Sequence, residues 1–201
     1  MADRRIGVFG GTFDPPHIGH LVTAERVAEA LSLDVVLLVV ANVPWQKVGS
    51  RPISPAEDRL AMVRASVEGS DLLEASDLEL VRGGDSYTVD TLEALRVAGP
   101  DDELVLILGS DAANGLDTWE RPEDLRRLCT LAVVERPGSE VEVPAGFDVE
   151  HVAVPSLDVS SSDLRARVAA GRSVRFLVPD AAVVILERRR LYRGAHDGDR
   201  Q

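Results

Sequence analysis

Positive charge is scarce in this chain: 22 basic residues face 34 acidic ones, giving a formal charge of -12 and a pI of about 4.7. That balance argues against a general affinity for nucleic-acid phosphates. Any anionic ligand must be held by local donors against an unfavourable overall field. Lysine is nearly missing, because Lys47 is the only one and every other basic residue is arginine. Codon bias accounts for that ratio but not for where the one lysine sits. Cysteine is equally rare, and Cys129 on its own permits no intrachain disulfide. Long apolar runs are also lacking. The longest, "VVLLVVA" from Val35 to Ala41, falls far short of the ~20 residues of a membrane span. The opening "MADRRIGVFGG" has too short an apolar run for a secretory signal. These features predict a cytoplasmic protein without nucleic-acid or membrane partners.

What is present is a globular composition, with 45% hydrophobic and 28% charged residues and no repeat, linker or low-complexity segment. A length of 201 residues suits one core, read as a single domain over 1–192 followed by a flexible tail over 193–201. "RIGVFG" reads as a strand, "HIGHLVTAERVAEALSL" as a helix with Leu21, Ala24, Val27, Ala28 and Leu31 on one face, and "DVVLLVVA" as a strand buried on both faces. The alternation continues through helices in "SPAEDRLAMVRASVEG" and "YTVDTLEALRVAG", the strand "ELVLILG", the helix "RPEDLRRLC" and the strand "TLAVVER". Two more helices follow, in "VSSSDLRARVAAG" and "PDAAVVILERRR". Ser54 is expected as the N-cap of the second helix, with Pro55 at its first position and Glu57 completing a capping box. The pattern predicts a doubly wound, Rossmann-like parallel sheet with helices on both faces and a small C-terminal helical portion. Ligands of such sheets bind beyond the carboxyl ends of the strands.

"GVFGGTFDPPHIGH", Gly7 to His20, lies at such an end. Gly10 and Gly11 leave a strand and enter a helix, a junction whose backbone N–H groups suit phosphate. It contains neither G-x-G-x-x-G nor the P-loop pattern. His17 and His20 stand at i and i+3, so both rings can face one anion at the helix start, with Gly19 leaving room. A tight turn with surface histidines is one alternative. A zinc pair is another, although the remaining histidines are distant and Cys129 offers no help.

"GGTFDPPHIGH" resembles the signature of the nucleotidyltransferase superfamily, with His17-Ile18-Gly19-His20 as its HxGH element, and "VSSSDLR", Val159 to Arg165, is similar to that superfamily's second signature. "GGDSYTVDTL", "GSDAANGLDTWE" and "FLVPDAAVVILERRRLY" resemble the nicotinate-nucleotide adenylyltransferases in particular. The likeness runs from about residue 5 to residue 192. It implies adenylyl transfer from ATP to nicotinate mononucleotide, with magnesium carried on the ATP phosphates and no protein metal site.

The same resemblance implies the roles. Gly10, Gly11, Thr12, Phe13, His17 and His20 would surround the triphosphate, with His20 at the α-phosphate. Ser160, Ser161, Ser162 and Arg165 would hold the β- and γ-phosphates. Gly109 and Asp111 would close over adenosine, Asp111 also being a candidate N-cap. Asn42, Trp45 and Lys47 would face the mononucleotide, with Thr88 and Trp119 near its ring. His17, His20, Lys47 and Arg165 form the catalytic set. Either tryptophan could instead be packing, one serine an ordinary N-cap, and Arg165 a solvated helix charge. Where the family reads PPHK this chain has "VPWQK", so Lys47 is kept while Trp45 and Gln46 depart. Glu120 stands where the family often has tyrosine after the tryptophan, so that contact does not carry over. The competing readings are a pantetheine-phosphate adenylyltransferase, whose chains lack "SYTVDTL", and a nucleotide sensor without catalysis. Oligomeric state stays open between monomer and homo-oligomer.

Placing Arg165 and Lys47 on opposite reactants has a kinetic consequence. Arg165→Ala is expected chiefly to raise KM for ATP, and Lys47→Ala chiefly KM for the mononucleotide. Steady-state kinetics with each substrate varied in turn checks this, and equal effects on both substrates from either change would break the assignment.

Overall fold

The computed structural model describes residues 4–44, 52–135 and 141–193. Trp45, Gln46 and Lys47, and all of the expected tail except Arg193, lie outside the described residues. Six parallel strands form one sheet in the order β3-β2-β1-β4-β5-β6. They are β1 (Arg5–Gly11), β2 (Val35–Val40), β3 (Leu73–Ser76), β4 (Glu103–Gly109), β5 (Thr130–Glu135) and β6 (Val149–Ala153). The helices are α1 (Ile18–Leu31), α2 (Ala56–Val67), α3 (Leu78–Arg82), α4 (Thr88–Ala98), α5 (Ser110–Asn114), α6 (Pro122–Leu128), α7 (Ser161–Ala169) and α8 (Asp180–Arg188). Among the described residues, no helix is long and apolar enough to cross a membrane.

The apolar strands are apolar because both sheet faces are covered. In β4, Val105 and Ile107 face a core with Val27, Leu31 and Val63, while Leu104, Leu106 and Leu108 face another with Val89, Leu92 and Leu125. Alternate residues of a strand point to opposite faces, so a strand buried on both sides loses the polar alternation. A third core joins Met62 of α2 to Leu164, Val178, Ala182, Val183 and Leu186, and docks the C-terminal helices on the sheet's flank.

The strand order reverses between β1, whose successor β2 lies on one side, and β4, on the other. The carboxyl ends of these two strands flank a topological switch point, where open α/β sheets bind ligands. At the amino ends, Arg5 is a tie. Its guanidinium bonds Glu103 of β4 (3.0 Å) and Glu150 of β6 (2.5 Å), and its N–H donates to Asp34 before β2 (2.7 Å).

One cap differs from expectation. Helix α2 starts at Ala56 with Pro55 at the N-cap (φ -46°, ψ 140°), and the Pro55 carbonyl accepts from Asp58 and Arg59. Ser54 makes no side-chain cap: its carbonyl accepts from Arg59 Nε (2.9 Å). The short strands β3 and β6, and helix α3, are elements that the hydrophobic pattern did not reveal.

The chain leaving β1 is tightly folded on itself. A Cβ on Gly11 would stand 2.7 Å from the ring of Phe13, which is 2% exposed and left-handed (φ 48°). Gly11→Ala is therefore expected to destabilise the protein by about 1–3 kcal/mol, as overpacking does. Equilibrium denaturation measures it, and a variant as stable as wild type would mean that the Phe13 loop yields freely.

Candidate active site

All twelve residues expected around ATP line one pocket of about 700 Å³ at the carboxyl ends of β1 and β4. They are Gly10, Gly11, Thr12, Phe13, His17, His20, Gly109, Asp111, Ser160, Ser161, Ser162 and Arg165. His17 is the N-cap of α1, in extended conformation, and its N–H donates to His20 Nδ1 (3.2 Å). The two imidazoles stack with centroids 3.7 Å apart and planes 27° apart, and His20 meets the edge of Phe13 at 5.0 Å. Because Nδ1 of His20 accepts a hydrogen bond, the proton of its neutral ring lies on Nε2. The i, i+3 pair thus presents a donor at a helix start. A Cβ on Gly19 would come within 3.0 Å of His17 Nδ1 and 3.1 Å of Val159, so the missing side chain lets α1, its cap and the α7 approach meet.

The three serines at the start of α7 do three different things. Ser160 is the N-cap and accepts from the Asp163 N–H (3.1 Å). Ser161 donates to the Pro15 carbonyl (2.9 Å), and Ser162 accepts from Arg165 Nη2 (3.0 Å). Arg165 Nη1 donates to the Asp14 carbonyl (2.8 Å), so it is not a solvated helix charge. The Asp14 carboxylate, 1% exposed, accepts from the Tyr192 hydroxyl at 2.8 Å. Burial pushes the Tyr192 phenol well above its ordinary pKa, and the Asp14 charge pushes it further. Asp111 is exposed at the second position of α5, whose N-cap is Gly109. The short helix is capped by the strand's own last residue, so the expected capping role of Asp111 does not hold.

A second pocket, of about 300 Å³, opens on the other side of the same strand ends and shares Phe9, Gly10, Gly11, Thr12, Gly109 and Ala112 with the first. Thr88, the first residue of α4, and Trp119, half-buried against the core under that face, both line it. The site is one cleft with a phosphate-like half and a more apolar half. Asn42 lines neither pocket: its Nδ2 donates to the Gly84 carbonyl (2.9 Å), bracing the loop before α4. Asp90 and Asp117 are turned to Arg121 (3.6 Å) and Arg126 (3.2 Å), whereas Glu120 faces the apolar pocket.

Sequence reasoning missed two pocket residues there. Glu79 is 6% exposed and accepts from the Thr91 hydroxyl (2.8 Å). Ser86 lines the same wall, and its hydroxyl oxygen is buried. A carboxylate in a five-residue helix gives no periodic signal, and Glu79 escaped notice for that reason.

Such a cleft, a glycine-rich strand end facing two helix starts that converge on one pocket, has the form of a nucleotide-binding site of the α/β class. The sequence matches the cytidylyltransferase-like family over residues 8–167. Proteins named "Probable nicotinate-nucleotide adenylyltransferase" from Thermus thermophilus and Frankia casuarinae are 46% and 44% identical to it. Those alignments cover 94% and 92% of this chain, and 100% and 99% of the relatives. The solved structure of Plasmodium falciparum nicotinic acid mononucleotide adenylyltransferase complexed with NaAD superposes with a TM-score of 0.78 at 18% identity, over 94% of this chain and 97% of that one. The chain belongs to the nicotinate-nucleotide adenylyltransferases of the cytidylyltransferase-like family.

The Tyr192–Asp14 bond has a measurable pH signature. Tyr192→Phe is expected to cost about 1–3 kcal/mol near neutral pH by leaving a buried carboxylate one donor short. The folded-state pKa of Tyr192 is raised, so its stabilisation is fully present below the unfolded value of about 10 and is lost as pH rises beyond it. Urea denaturation of both proteins from pH 7 to 11 should show the gap narrowing above about pH 10. A gap constant across that range would rule out the linkage.

Proposed function

We propose that this cleft transfers the adenylyl group of ATP to nicotinate mononucleotide, giving nicotinate adenine dinucleotide and pyrophosphate. The observation that carries the reading is the convergence of both helix starts, α1 with His17 and His20 and α7 with Ser160 to Arg165, on the pocket at the end of β1. The attacking phosphate oxygen is already anionic, so the reaction needs no protein nucleophile or strong base. It needs two mutually repelling anions aligned, and charge on the transferring and leaving phosphates stabilised.

In this reading the triphosphate lies over Gly10 to Phe13. His20 donates from Nε2 to the α-phosphate, and His17 stacks behind it as a second contact. Ser161, Ser162 and Arg165 receive the β- and γ-phosphates, with Ser160 closing the helix start, and Gly109 and Asp111 flank adenosine. Thr88 and Trp119 border the pyridine ring, Trp45 is assigned to the same mononucleotide half, and Lys47 is assigned to the mononucleotide phosphate. Asn42 shapes that half by holding the Gly84 carbonyl. Magnesium enters with ATP, held by phosphate oxygens and water. The described residues contain no group of three or more His, Cys, Asp or Glu side chains that could hold a metal. Residues 1–192 are read as one domain, in a cytoplasmic protein with no nucleic-acid or membrane partner.

Pyrophosphate release on mixing ATP and nicotinate mononucleotide tests the reading, and its absence would remove it. His20→Ala is expected to lower kcat by roughly 10²–10³-fold, as loss of a preorganised donor does. A variant with near-normal kcat would take His20 out of the mechanism.

Selectivity between acid and amide mononucleotides follows from the ring pocket. The N-terminus of α4 begins at Thr88 on its wall and offers N–H groups and partial positive charge to a carboxylate. The Glu79 carboxylate is engaged by Thr91. An amide would turn its own N–H groups on those donors, at about 1–3 kcal/mol per group left unpaired. The expected preference for the nicotinate form is on the order of 10²–10³-fold in kcat/KM. Values for the two forms within about threefold would show that the cleft is not dedicated to the nicotinate form.

A further inference from the structure

Arg59 belongs to neither pocket, yet it is the largest fully buried side chain among the described residues, 1% exposed in helix α2. Its guanidinium donates to four backbone carbonyls: Nε to Ser54 (2.9 Å), Nη1 to Thr12 (2.9 Å) and Ala41 (2.6 Å), and Nη2 to Asn42 (3.1 Å). Three of these carbonyls belong to the chain segments leaving β1 and β2, which are neighbours in the sheet. Thr12 lies in the phosphate pocket. Asn42 lies in the segment that holds the other half: its side chain donates to the Gly84 carbonyl, and the next carbonyl, Val43, accepts from the Ser86 N–H (3.0 Å). A continuous set of hydrogen bonds thus runs from the floor of the phosphate pocket, through Arg59, to the loop that walls the ring pocket.

We infer that Arg59 is a positioning residue for the transfer reaction, setting the ATP-phosphate segment at Thr12 in register with the mononucleotide segment at Asn42 and the loop at Gly84 to Ser86. The inference rests on the function proposed above. Only a planar fork with several divergent N–H donors can reach carbonyls on three separate segments at once; an ammonium donates from a single point. What the fork fixes is the relative placement of two reactants that have no covalent connection. A displacement of ~1 Å in such an alignment costs about 10²-fold in rate. Each substrate keeps its own contacts when the register loosens, so the loss falls on kcat more than on either KM.

The test uses Arg59→Lys and Arg59→Ala in the full chain, with wild-type pyrophosphate release measured first. An inactive wild type would sink the proposed reaction, and a low rate confined to the variants speaks to Arg59. The expected result for Arg59→Lys is a kcat lowered about 10²-fold, with KM for ATP and for nicotinate mononucleotide each changed by less than about threefold. In Arg59→Ala, millimolar methylguanidinium should restore at least about tenfold of the lost kcat, while methylammonium should not. Amide hydrogen exchange, read without substrates, should quicken at Ser86 in Arg59→Lys and stay unchanged in β4 and β5. A kcat within about threefold of wild type accompanied only by lower thermal stability would make Arg59 a plain core residue and overturn the inference. A rise in one KM alone, or failure of both variants to fold, would overturn it as well.

Discussion

The contact on which the cleft depends joins the two ends of the chain. The loop after β1 offers the carbonyls of Asp14 and Pro15 and the buried carboxylate of Asp14. Arg165 and Ser161 of α7, and Tyr192 beyond α8, donate to them across 146 to 178 residues of sequence. Neither helix start would make a triphosphate site alone, because one N-terminus supplies only a partial positive charge. Held together, two such ends, a guanidinium and two stacked imidazoles face one volume. That local concentration of donors offsets, within the pocket, the unfavourable field of a chain with a formal charge of -12.

The rest of the architecture serves that junction. The third core, with Met62 packed against Leu164, Val183 and Leu186, presses α7 and α8 onto α2. The same helix α2 carries Arg59 inward to the segments leaving β1 and β2. One helix therefore fixes the C-terminal wall of the larger pocket through its apolar face and the two halves of the cleft through one buried charge.

How much of this could be read in advance depended on the kind of signal each residue leaves. Strands β1, β2, β4 and β5 were legible because double burial makes them continuously apolar. The edge strands β3, "LEAS", and β6, "VEHVA", were not: they are short and carry charged or polar residues, as strands with one free edge do. The residues expected around the triphosphate stood out through two motifs, and the fold brings every one of them to a single pocket. Asp14 lay inside the quoted motif, but its bond to Tyr192 could not be inferred across so many residues. Arg59 did leave a trace. It shares the i, i+3, i+4 face with the buried Met62 and Val63, and a charge on an apolar face calls for a buried acceptor set. That trace is faint in one sequence, since the acceptors are backbone carbonyls with no residue type of their own. Ser54 misled in the opposite direction, because a serine before a proline looks like a cap until a neighbouring arginine claims its carbonyl.

The tie formed by Arg5 lies at the far end of β1 from Gly10 and Gly11. It gathers Asp34, Glu103 and Glu150 around the amino ends of the strands, and no residue of that cluster lines either pocket. The sheet therefore separates two tasks by the length of a strand, with cohesion at one rim and chemistry at the other. Related chains adapting to heat or cold have that amino rim as free ground. Ion pairs can be added to it or stripped from it, shifting the temperature at which the protein melts while the cleft keeps its shape.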